Sequence, residues 1–281
     1  MRLKGLNAMA VNLHLDTREL ANQYDIYSNS QFRDGCILLD KLALRKGYSV
    51  LDIGCGTGSL VDKVLEYIGD TGRYIGIDPL SERIAIANAK NTHSNADFKN
   101  GVAEQLDFVP SASIDVVYLN WVFHWIADKN SVLQELERIL KPGGKIGITV
   151  PCKELHGIIG LTSIADRVLK REPYHQFVRT ESSTQKQYNL TMTEWTFLFI
   201  EQALKIEEIH LQVGQRTFQR SHEITEFMAA SFFGNYLNHV PESMRKQAIC
   251  DIEAEYEKYR TDFGLQFDYY LLYAVLSKSV S

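Results

Sequence analysis

The sequence has few of the features that mark a disulfide-rich, metal-binding or membrane protein. Its 281 residues include only four cysteines, and none of them stands in a C-x-x-C pair, so neither a zinc site nor a disulfide framework is indicated. No apolar run approaches the roughly 20 residues that a membrane-spanning helix requires. No apolar stretch typical of a signal peptide follows the first residues. We therefore expect a soluble, cytoplasmic protein with reduced thiols, no bound metal and no membrane association.

Positive charge is also scarce. The 30 Lys and Arg residues are outnumbered by 35 Asp and Glu, which gives a formal net charge of −5 and argues against a nucleic-acid partner. In contrast, 45% of the residues are hydrophobic, which excludes a disordered chain and supplies a full core. At about 150 residues per domain, the length predicts two domains, or one large α/β domain with an insertion.

Between about residues 50 and 151, short apolar runs alternate with amphipathic segments. The apolar runs predict buried strands at 49–53, 73–77, 96–99, 114–119 and 145–150. The three- and four-residue spacing of apolar side chains predicts helices at 59–68, 81–90 and 131–140. Such alternation is typical of right-handed βαβ units. We predict an α/β, Rossmann-like, doubly wound fold with a mainly parallel, seven-stranded sheet.

The alternation weakens beyond residue 151. Apolar spacing there predicts helices at 158–169, 193–204, 221–237 and 242–260, a polar loop at 179–188, and strands at 206–218 and 267–277. We expect residues 1–151 to form an N-terminal lid helix and a cofactor-binding core. Residues 152–205 would form a helical cap, and 206–281 the last two strands with inserted cap helices.

A glycine-rich turn follows the first predicted strand, in Val50-Leu51-Asp52-Ile53-Gly54-Cys55-Gly56-Thr57-Gly58. Glycine lacks a Cβ atom, so this turn can adopt positive φ and bring its backbone against a ligand. The helix that follows offers free N–H groups to a polar or anionic group. The pattern favours a ligand site, although a tight packing turn would also explain these glycines.

Asp78 ends the next predicted strand, about 20 residues beyond the turn, where a carboxylate can bind the two hydroxyls of an adenosine ribose. The alternative is structural, because an Asp before Pro79 can initiate a turn and cap the helix near Ser81. Taken together with the glycine turn, Asp78 favours ribose binding.

Both dinucleotides and S-adenosylmethionine fit such a site. A dinucleotide motif requires Gly or Ala at the sixth position from Gly54, and this chain has Ser59 there. The G-x-G-x-G pattern, with Asp52 two positions before it, resembles motif I of the class I S-adenosylmethionine-dependent methyltransferases. Gly76-Ile77-Asp78 is similar to their acidic-loop motif, and segments 100–106, 114–119 and 136–144 resemble later motifs in the same order. The resemblance implies S-adenosylmethionine as cofactor, contacted by Asp52, Gly54, Cys55, Gly56, Asp78 and Pro79.

One segment departs from the family pattern. Many relatives read Gly-Asp-Ala-Glu where this chain has Gly101-Val102-Ala103-Glu104, and in them the Asp meets the adenine amino group. The resemblance thus implies that Val102, Ala103 and Glu104 line the adenine site, with the N–H of Ala103 and the side chain of Glu104 able to read its edge.

The segment Asn120 to Asp128 follows the fourth predicted strand. Ligands bind outside the carboxyl ends of parallel strands, so we expect Asn120 at the cofactor, and His124 and Trp125 near the transferred methyl group. A core role for these aromatic rings is the alternative.

The His-Trp element and parts of segment 221–256 look like the carboxyl O-methyltransferases typified by the trans-aconitate and juvenile hormone acid enzymes. Gln31-Phe32-Arg33-Asp34 is similar to a segment whose Gln contributes to the active site of the juvenile hormone acid enzymes. Tyr24 stands in a segment that resembles the N-terminal helix closing over the cofactor. The resemblance implies catalytic roles for His124, Gln31 and Trp125, and cofactor or acceptor contacts for Tyr24 and Arg33.

The implied reaction is methyl transfer from S-adenosylmethionine to a small molecule, and we favour a carboxylate acceptor. A carboxylate has a pKa near ~4 and needs no general base, so His124 and Gln31 would orient it. With a phenol, amine or thiol acceptor, His124 is the candidate base. Arsenite held by Cys152 and Cys250 is another alternative, as is an S-adenosylmethionine-binding module without catalysis. We expect a monomer or homodimer.

Overall fold

The structure is a computed structural model that describes residues 12–153, 160–177, 188–202 and 204–279. Its α-helices are α1 Arg18–Tyr27, α2 Asn29–Leu42, α3 Val61–Ile68, α4 Ser81–Lys90, α5 Lys129–Ile139, α6 Leu161–Leu169, α7 Met192–Ile200, α8 Ser221–Ser231 and α9 Glu242–Glu257. Its strands are β1 Ser49–Ile53, β2 Arg73–Asp78, β3 Ala96–Asn100, β4 Ile114–Asn120, β5 Leu140–Pro151, β6 Leu204–Phe218, β7 Arg260–Thr261 and β8 Gly264–Lys278.

The strands form one sheet in the order β3-β2-β1-β4-β5-β8-β6, and β7 pairs with β8 beside this path. Strands β1 to β5 pair in parallel with their neighbours, whereas β8 runs antiparallel to β5. The order reverses between β1 and β4, as it does in doubly wound folds. The predicted α/β fold and mainly parallel sheet are therefore confirmed. Among the strands that the structure describes, only the two-residue β7 was not predicted, because it is too short to show a period.

Local chemistry explains where the elements begin and end. Helix α5 begins at Lys129, two residues before the predicted start, because the Asp128 side chain accepts a hydrogen bond of 3.1 Å from the N–H of Ser131 and caps the helix. Helix α8 ends at Ser231 rather than at residue 237, since Phe233 (φ 55°) and Gly234 (φ 75°) turn the chain out of the helix.

Strand β5 differs most from prediction. It begins at Leu140, five residues before the predicted strand, because Leu140 pairs with Ile114 and the register then shifts before Lys145 pairs with Val116. The Pro-Gly-Gly sequence in between forms this irregularity, with Gly143 at φ 74°. Lys141 within it donates a hydrogen bond of 2.7 Å to the Asp115 carboxylate.

Other predicted boundaries shift by a few residues. Helix α7 ends at Ile200 because β6 begins at Leu204, and α9 ends at Glu257. The predicted helix at 158–169 begins at Leu161 within the described chain. Residues 158 and 159, the first two of the predicted helix, lie outside the described residues, and so do residues 179–187 of the predicted polar loop.

The chain divides into two compact units. The core unit comprises residues 31–153, 188–212 and 271–281. Strands β1 and β4 at the centre of its sheet are mostly buried, and Val50, Leu51, Val117 and Ile146 are fully enclosed. All the site residues proposed from the sequence fall in this unit, apart from Tyr24 and Cys250, the second thiol of the arsenite alternative.

The second unit comprises residues 1–30, 154–187 and 213–270. Its apolar core joins α6, α8 and α9, where the buried Tyr256 hydroxyl donates 2.7 Å to the carbonyl of Leu161. Tyr236 belongs to this core and Phe232 packs against it. Across the described ranges of both units, no helix is both long and apolar enough to cross a bilayer.

Candidate functional site

The glycine turn after β1 is built on left-handed backbone. Gly54, Gly56 and Gly58 have φ values of 75°, 55° and 78°. A residue with a Cβ atom adopts such φ values only at a cost in conformational free energy. Space is equally limiting, because a Cβ on Gly54 would lie 2.1 Å from Val122 Cγ2, and one on Gly58 would lie 2.9 Å from the Phe98 ring. The turn therefore lies directly against the segment after β4 on one side and against β3 on the other.

Asp78 connects this turn to the end of β2. Its Oδ2 accepts a hydrogen bond of 2.9 Å from the N–H of Gly56, and its Oδ1 accepts one of 2.9 Å from the N–H of Leu80. The carboxyl is buried, with 6% of the residue exposed, whereas Pro79 beside it is exposed. The bond to Leu80 is the predicted turn-forming role. A carboxylate oxygen has two lone pairs and can accept from more than one donor.

Asp52 lies at the carboxyl end of β1, directly before the turn. Its Oδ2 accepts hydrogen bonds of 2.7 Å from both the Tyr74 and the Tyr118 hydroxyl. Burial raises the pKa of Asp52 to about 7, although the two hydroxyls act to lower it. Cys55, which follows in the turn, is also buried, and burial together with the nearby Asp52 and Asp78 carboxyls raises the pKa of its thiol well above the usual value.

The segment after β4 makes a sharp bend at Trp121. This residue has φ 61°, and its N–H donates to Thr149, 3.0 Å to Oγ1 and 3.1 Å to the carbonyl oxygen. Its indole Nε1 donates 2.9 Å to Oδ2 of Asp34 on α2. The bend brings Val122 onto Gly54 and turns the following short 3-10 helix, Phe123–Trp125, back over β5.

His124 is 2% exposed and Trp125 is half-buried. The His124 ring lies 5.0 Å from the Trp125 ring and 6.3 Å, edge to face, from that of Trp121. The carbonyl oxygen of His124 accepts 2.7 Å from the N–H of Tyr188. The rings of Trp121 and Trp125 thus lie beside the histidine.

Gln31 and Asn120 are brought together. Asn120 Nδ2 donates 2.8 Å to the Gln31 carbonyl oxygen, and its Oδ1 accepts 2.7 Å from Thr149 Oγ1. The Gln31 residue is buried. Arg33 on the same helix is exposed, and Tyr24 lies on α1 in the second unit.

The predicted adenine-lining segment follows β3. Ala103 is buried, and Val102 and Glu104 are half-buried. Oε2 of Glu104 is itself buried and accepts no hydrogen bond from any residue that the structure describes. Burial, with Asp128 nearby, raises the pKa of this carboxyl. A buried acceptor of this kind is suited to a ligand N–H group.

Lys129 has a structural role that sequence reasoning missed. Its ammonium donates 2.6 Å to the carbonyl of Ile126 and lies 5.7, 5.5 and 5.2 Å from the rings of Phe123, Tyr188 and Trp195. Burial lowers the pKa of Lys129 to about 8. The cation therefore ties the His124 turn to the chain around α7 through ring contacts. The sequence does not indicate these ring contacts, because a lysine in the first turn of an amphipathic helix is usually a surface residue.

Four further residues of the site were not predicted: Asp34, Tyr74, Tyr118 and Thr149. Tyr74 and Tyr118 stood within predicted apolar strands, where a tyrosine is indistinguishable from a core residue. Asp34 lies in the segment that resembles the juvenile hormone acid enzymes. Its role was not predicted because the sequence does not show that this residue is buried (3% exposed).

Comparison with known proteins agrees with this geometry. Residues 51–148 match the family model described as "Methyltransferase domain". The arsenite methyltransferase of Aquipseudomonas alcaligenes is 36% identical over 121 residues, which are 40% of this chain and 35% of that protein. The demethylmenaquinone methyltransferase of Lactobacillus johnsonii is 32% identical over 125 residues, 43% of this chain and 51% of that one. The chain thus spans about half, or less, of the length of these two relatives.

A solved S-adenosylmethionine-dependent methyltransferase from Aquifex aeolicus shares the fold, with a TM-score of 0.50 and 18% identity over 68% of this chain and 90% of that one. The family match begins within β1 and ends within β5, and it includes the glycine turn, Asp78, Glu104 and His124. Residues 51–148 therefore match a methyltransferase domain, and the chain has the Rossmann-like fold predicted from its sequence.

Proposed function

We propose that the protein is an S-adenosylmethionine-dependent methyltransferase acting on a small molecule. The observation that carries this proposal is the bond between Gly56 N–H and Asp78 Oδ2, which joins a turn of three positive-φ glycines to the acidic end of β2. The bond holds the backbone of the glycine turn and the Asp78 carboxylate together at the carboxyl ends of the parallel strands. Open α/β sheets bind nucleoside ligands at these strand ends.

The residues present fit the cofactor in three places. Asp78 would bind the ribose hydroxyls, and the buried Oε2 of Glu104 would accept the adenine amino group. Asp52 would offer negative charge to the cationic amino acid part. S-adenosylmethionine supplies an electrophilic methyl group on a sulfonium sulfur, so the protein's task is to align the acceptor and exclude water.

A carboxylate acceptor is the finer part of the proposal. It is supported by the resemblance of Gln31 and the His124-Trp125 pair to carboxyl O-methyltransferases, and by the enclosure of these residues. A carboxylate is already ionised near neutral pH, so a buried histidine and a helix-borne glutamine suffice to orient it. No proton has to be removed from it during the reaction.

Other acceptors are the alternatives, because the two relatives are named for arsenite and for demethylmenaquinone. An arsenite site needs thiolates. Cys152 is buried and Cys250 is exposed, and they belong to different units. Among the described residues, no three His, Cys, Asp or Glu side chains form a group that could hold a metal ion.

A panel assay tests the proposal. S-adenosylhomocysteine release would be measured with carboxylic acids, phenols, amines, quinols and arsenite. Turnover confined to acids is expected, and turnover confined to another class would overturn the carboxylate assignment. Cofactor binding without turnover on any acceptor would favour a non-catalytic module.

Calorimetry tests the cofactor site separately. Replacing Asp78 with Ala is expected to weaken S-adenosylhomocysteine binding by about 1–3 kcal/mol, because ribose hydroxyls lose their partner. Unchanged affinity in a folded variant would remove Asp78 from the site.

A further inference from the structure

Asp52 and two tyrosines form a buried cluster at the centre of the sheet. Tyr74 lies on β2 and Tyr118 on β4, the two strands that flank β1, and Asp52 is directly opposite Tyr118 in the β1–β4 register. Both tyrosines are fully enclosed and Asp52 is 3% exposed. Both hydroxyls donate to the same carboxylate oxygen at 2.7 Å. An apolar sheet interior does not need this polar arrangement for packing.

The described groups that shift the pKa of Asp52 are all neutral or acidic. The two phenols come from β2 and β4, the Cys55 thiol follows in the turn, and the Asp78 carboxyl adds like charge from the end of β2. Burial and the nearby carboxyl raise the pKa of Tyr74 and Tyr118 well above the usual value, so both remain hydrogen-bond donors at every working pH. The carboxylate thus has two donors but no cationic partner among the groups that shift its pKa.

A buried carboxyl without a cation tends to take up a proton, because water no longer stabilises its charge. The two hydrogen bonds oppose this, and the pKa of Asp52 is held at about 7. A ligand that brings positive charge to the turn beside Asp52 would therefore shift the protonation equilibrium of this carboxyl towards the ionised form.

We propose that Tyr74 and Tyr118 are positioning residues that hold Asp52 ready to pair with a cationic ligand group, so that cofactor binding ionises Asp52 and releases its proton to solvent. This inference rests on the proposed function, since the cationic group is the ammonium of the cofactor's amino acid part. The proton leaves the carboxyl, the carboxylate remains, and no other bond changes.

The linkage has a defined sign. Below pH 7 the free protein carries a protonated Asp52, and binding must expel that proton, so affinity rises with pH by up to about tenfold per unit. Above pH 7 the free protein is already ionised and the affinity becomes level. The two hydroxyls set the pH at which this change occurs.

The test uses the full chain and S-adenosylhomocysteine, which retains the ammonium. Calorimetry at pH 6, 7 and 8 in pairs of buffers with different ionisation enthalpies counts the protons released. We expect release approaching one proton at pH 6 and falling towards zero at pH 8. Asp52→Asn should abolish both the release and the rise of affinity with pH.

Tyr74→Phe and Tyr118→Phe should each move the midpoint of the affinity profile upward by about one pH unit. The expected loss of affinity is about tenfold at pH 6 and about fivefold at pH 7, and it disappears at higher pH. Tyr67→Phe is the matched control, because its hydroxyl donates to Asp40 at the surface and should leave the profile unchanged. Circular dichroism melts report whether each variant is folded.

The outcomes separate the two proposals. Binding by the unmodified protein without proton release at pH 6 would overturn this inference alone, and that measurement requires no variant. Equal losses of affinity at every pH in the two phenylalanine variants would also overturn it, because they indicate a purely structural role. No binding at any pH would overturn the proposed function and this inference together.

Discussion

The indole Nε1 of Trp121 donates a hydrogen bond of 2.9 Å to Oδ2 of Asp34, and this bond joins helix α2 to the bend that precedes His124. The Tyr273 hydroxyl also donates to the Asp34 carboxylate, at 3.3 Å. A buried carboxylate with donors from β8 and from a positive-φ tryptophan therefore holds the floor of the candidate site.

Replacing Asp34 with Ala should destabilise the protein by about 1–3 kcal/mol, because two buried donors lose their acceptor. Turnover should fall as well, since Trp121 directs the chain into the His124 turn. Urea unfolding and S-adenosylhomocysteine release measure the two effects. Asp40→Ala on the same helix, at an exposed position, is the control. Equal unfolding midpoints for the two variants would contradict the structural role of Asp34.

Gly54→Ala should abolish or severely weaken cofactor binding. The alanine would have to adopt φ 75°, and its Cβ would lie 2.1 Å from Val122 Cγ2. The positive φ alone costs about 1–2 kcal/mol. Gly47→Ala is a matched control, since Gly47 has φ 83° but its nearest neighbour would be 3.6 Å away.

Adding Val122→Ala to Gly54→Ala separates the clash from the backbone strain. Removing the two Val122 methyl groups should restore part of the binding, because the closest contact is with one of them. A double variant no better than Gly54→Ala would mean that backbone strain alone decides the outcome.

Glu104→Ala should weaken S-adenosylhomocysteine binding about tenfold if the buried Oε2 accepts the adenine amino group. S-inosylhomocysteine, which lacks that amino group, should bind the variant and the unmodified protein almost equally. The comparison needs only calorimetry with two ligands. Equal weakening towards both ligands would place Glu104 outside the adenine edge.

Lys129 gives a pH dependence of stability. Its folded pKa of about 8 lies below the ordinary lysine value of 10.5, so between these two pH values the unfolded chain binds more protons. This group therefore makes the protein more stable as pH rises from about 8 towards 10, by up to about 3 kcal/mol.

Lys129→Met keeps an unbranched side chain against the three rings but removes the titration. The rise in unfolding free energy between pH 8 and 10 should be smaller in the variant than in the unmodified protein. Urea titrations at three pH values measure it. An identical rise in both would show that another group is responsible.

Much of the fold followed from apolar periodicity. The boundaries of β1 and α4 were predicted to the residue, because a buried strand and an amphipathic helix leave clear periods. The start of β5 was not, since Pro142 and Gly143 are typical of a loop and the structure instead accommodates them as a register shift between paired strands. The glycine turn and Asp78 were predicted because their backbone requirements restrict the residue types.

The rest of the site depends on contacts between distant residues. Asp34 reaches Trp121 across 87 positions, and Tyr118 reaches Asp52 across 66. Each of these residue types also occurs at ordinary core or surface positions, so spacing in the sequence carries no signal. Arg33 is exposed, and its role at the cofactor or acceptor, which its place in the motif indicated, stays a prediction.

The pairing of β8 with β5 has a consequence for synthesis of the chain. Residues 271–277 pair with 145–151, so β5 remains an open sheet edge while more than a hundred intervening residues are translated. An unpaired edge of a parallel sheet invites intermolecular association. The nascent chain is therefore most vulnerable to aggregation late in translation, and a chaperone that covers the β5 edge would protect it until β8 emerges from the ribosome.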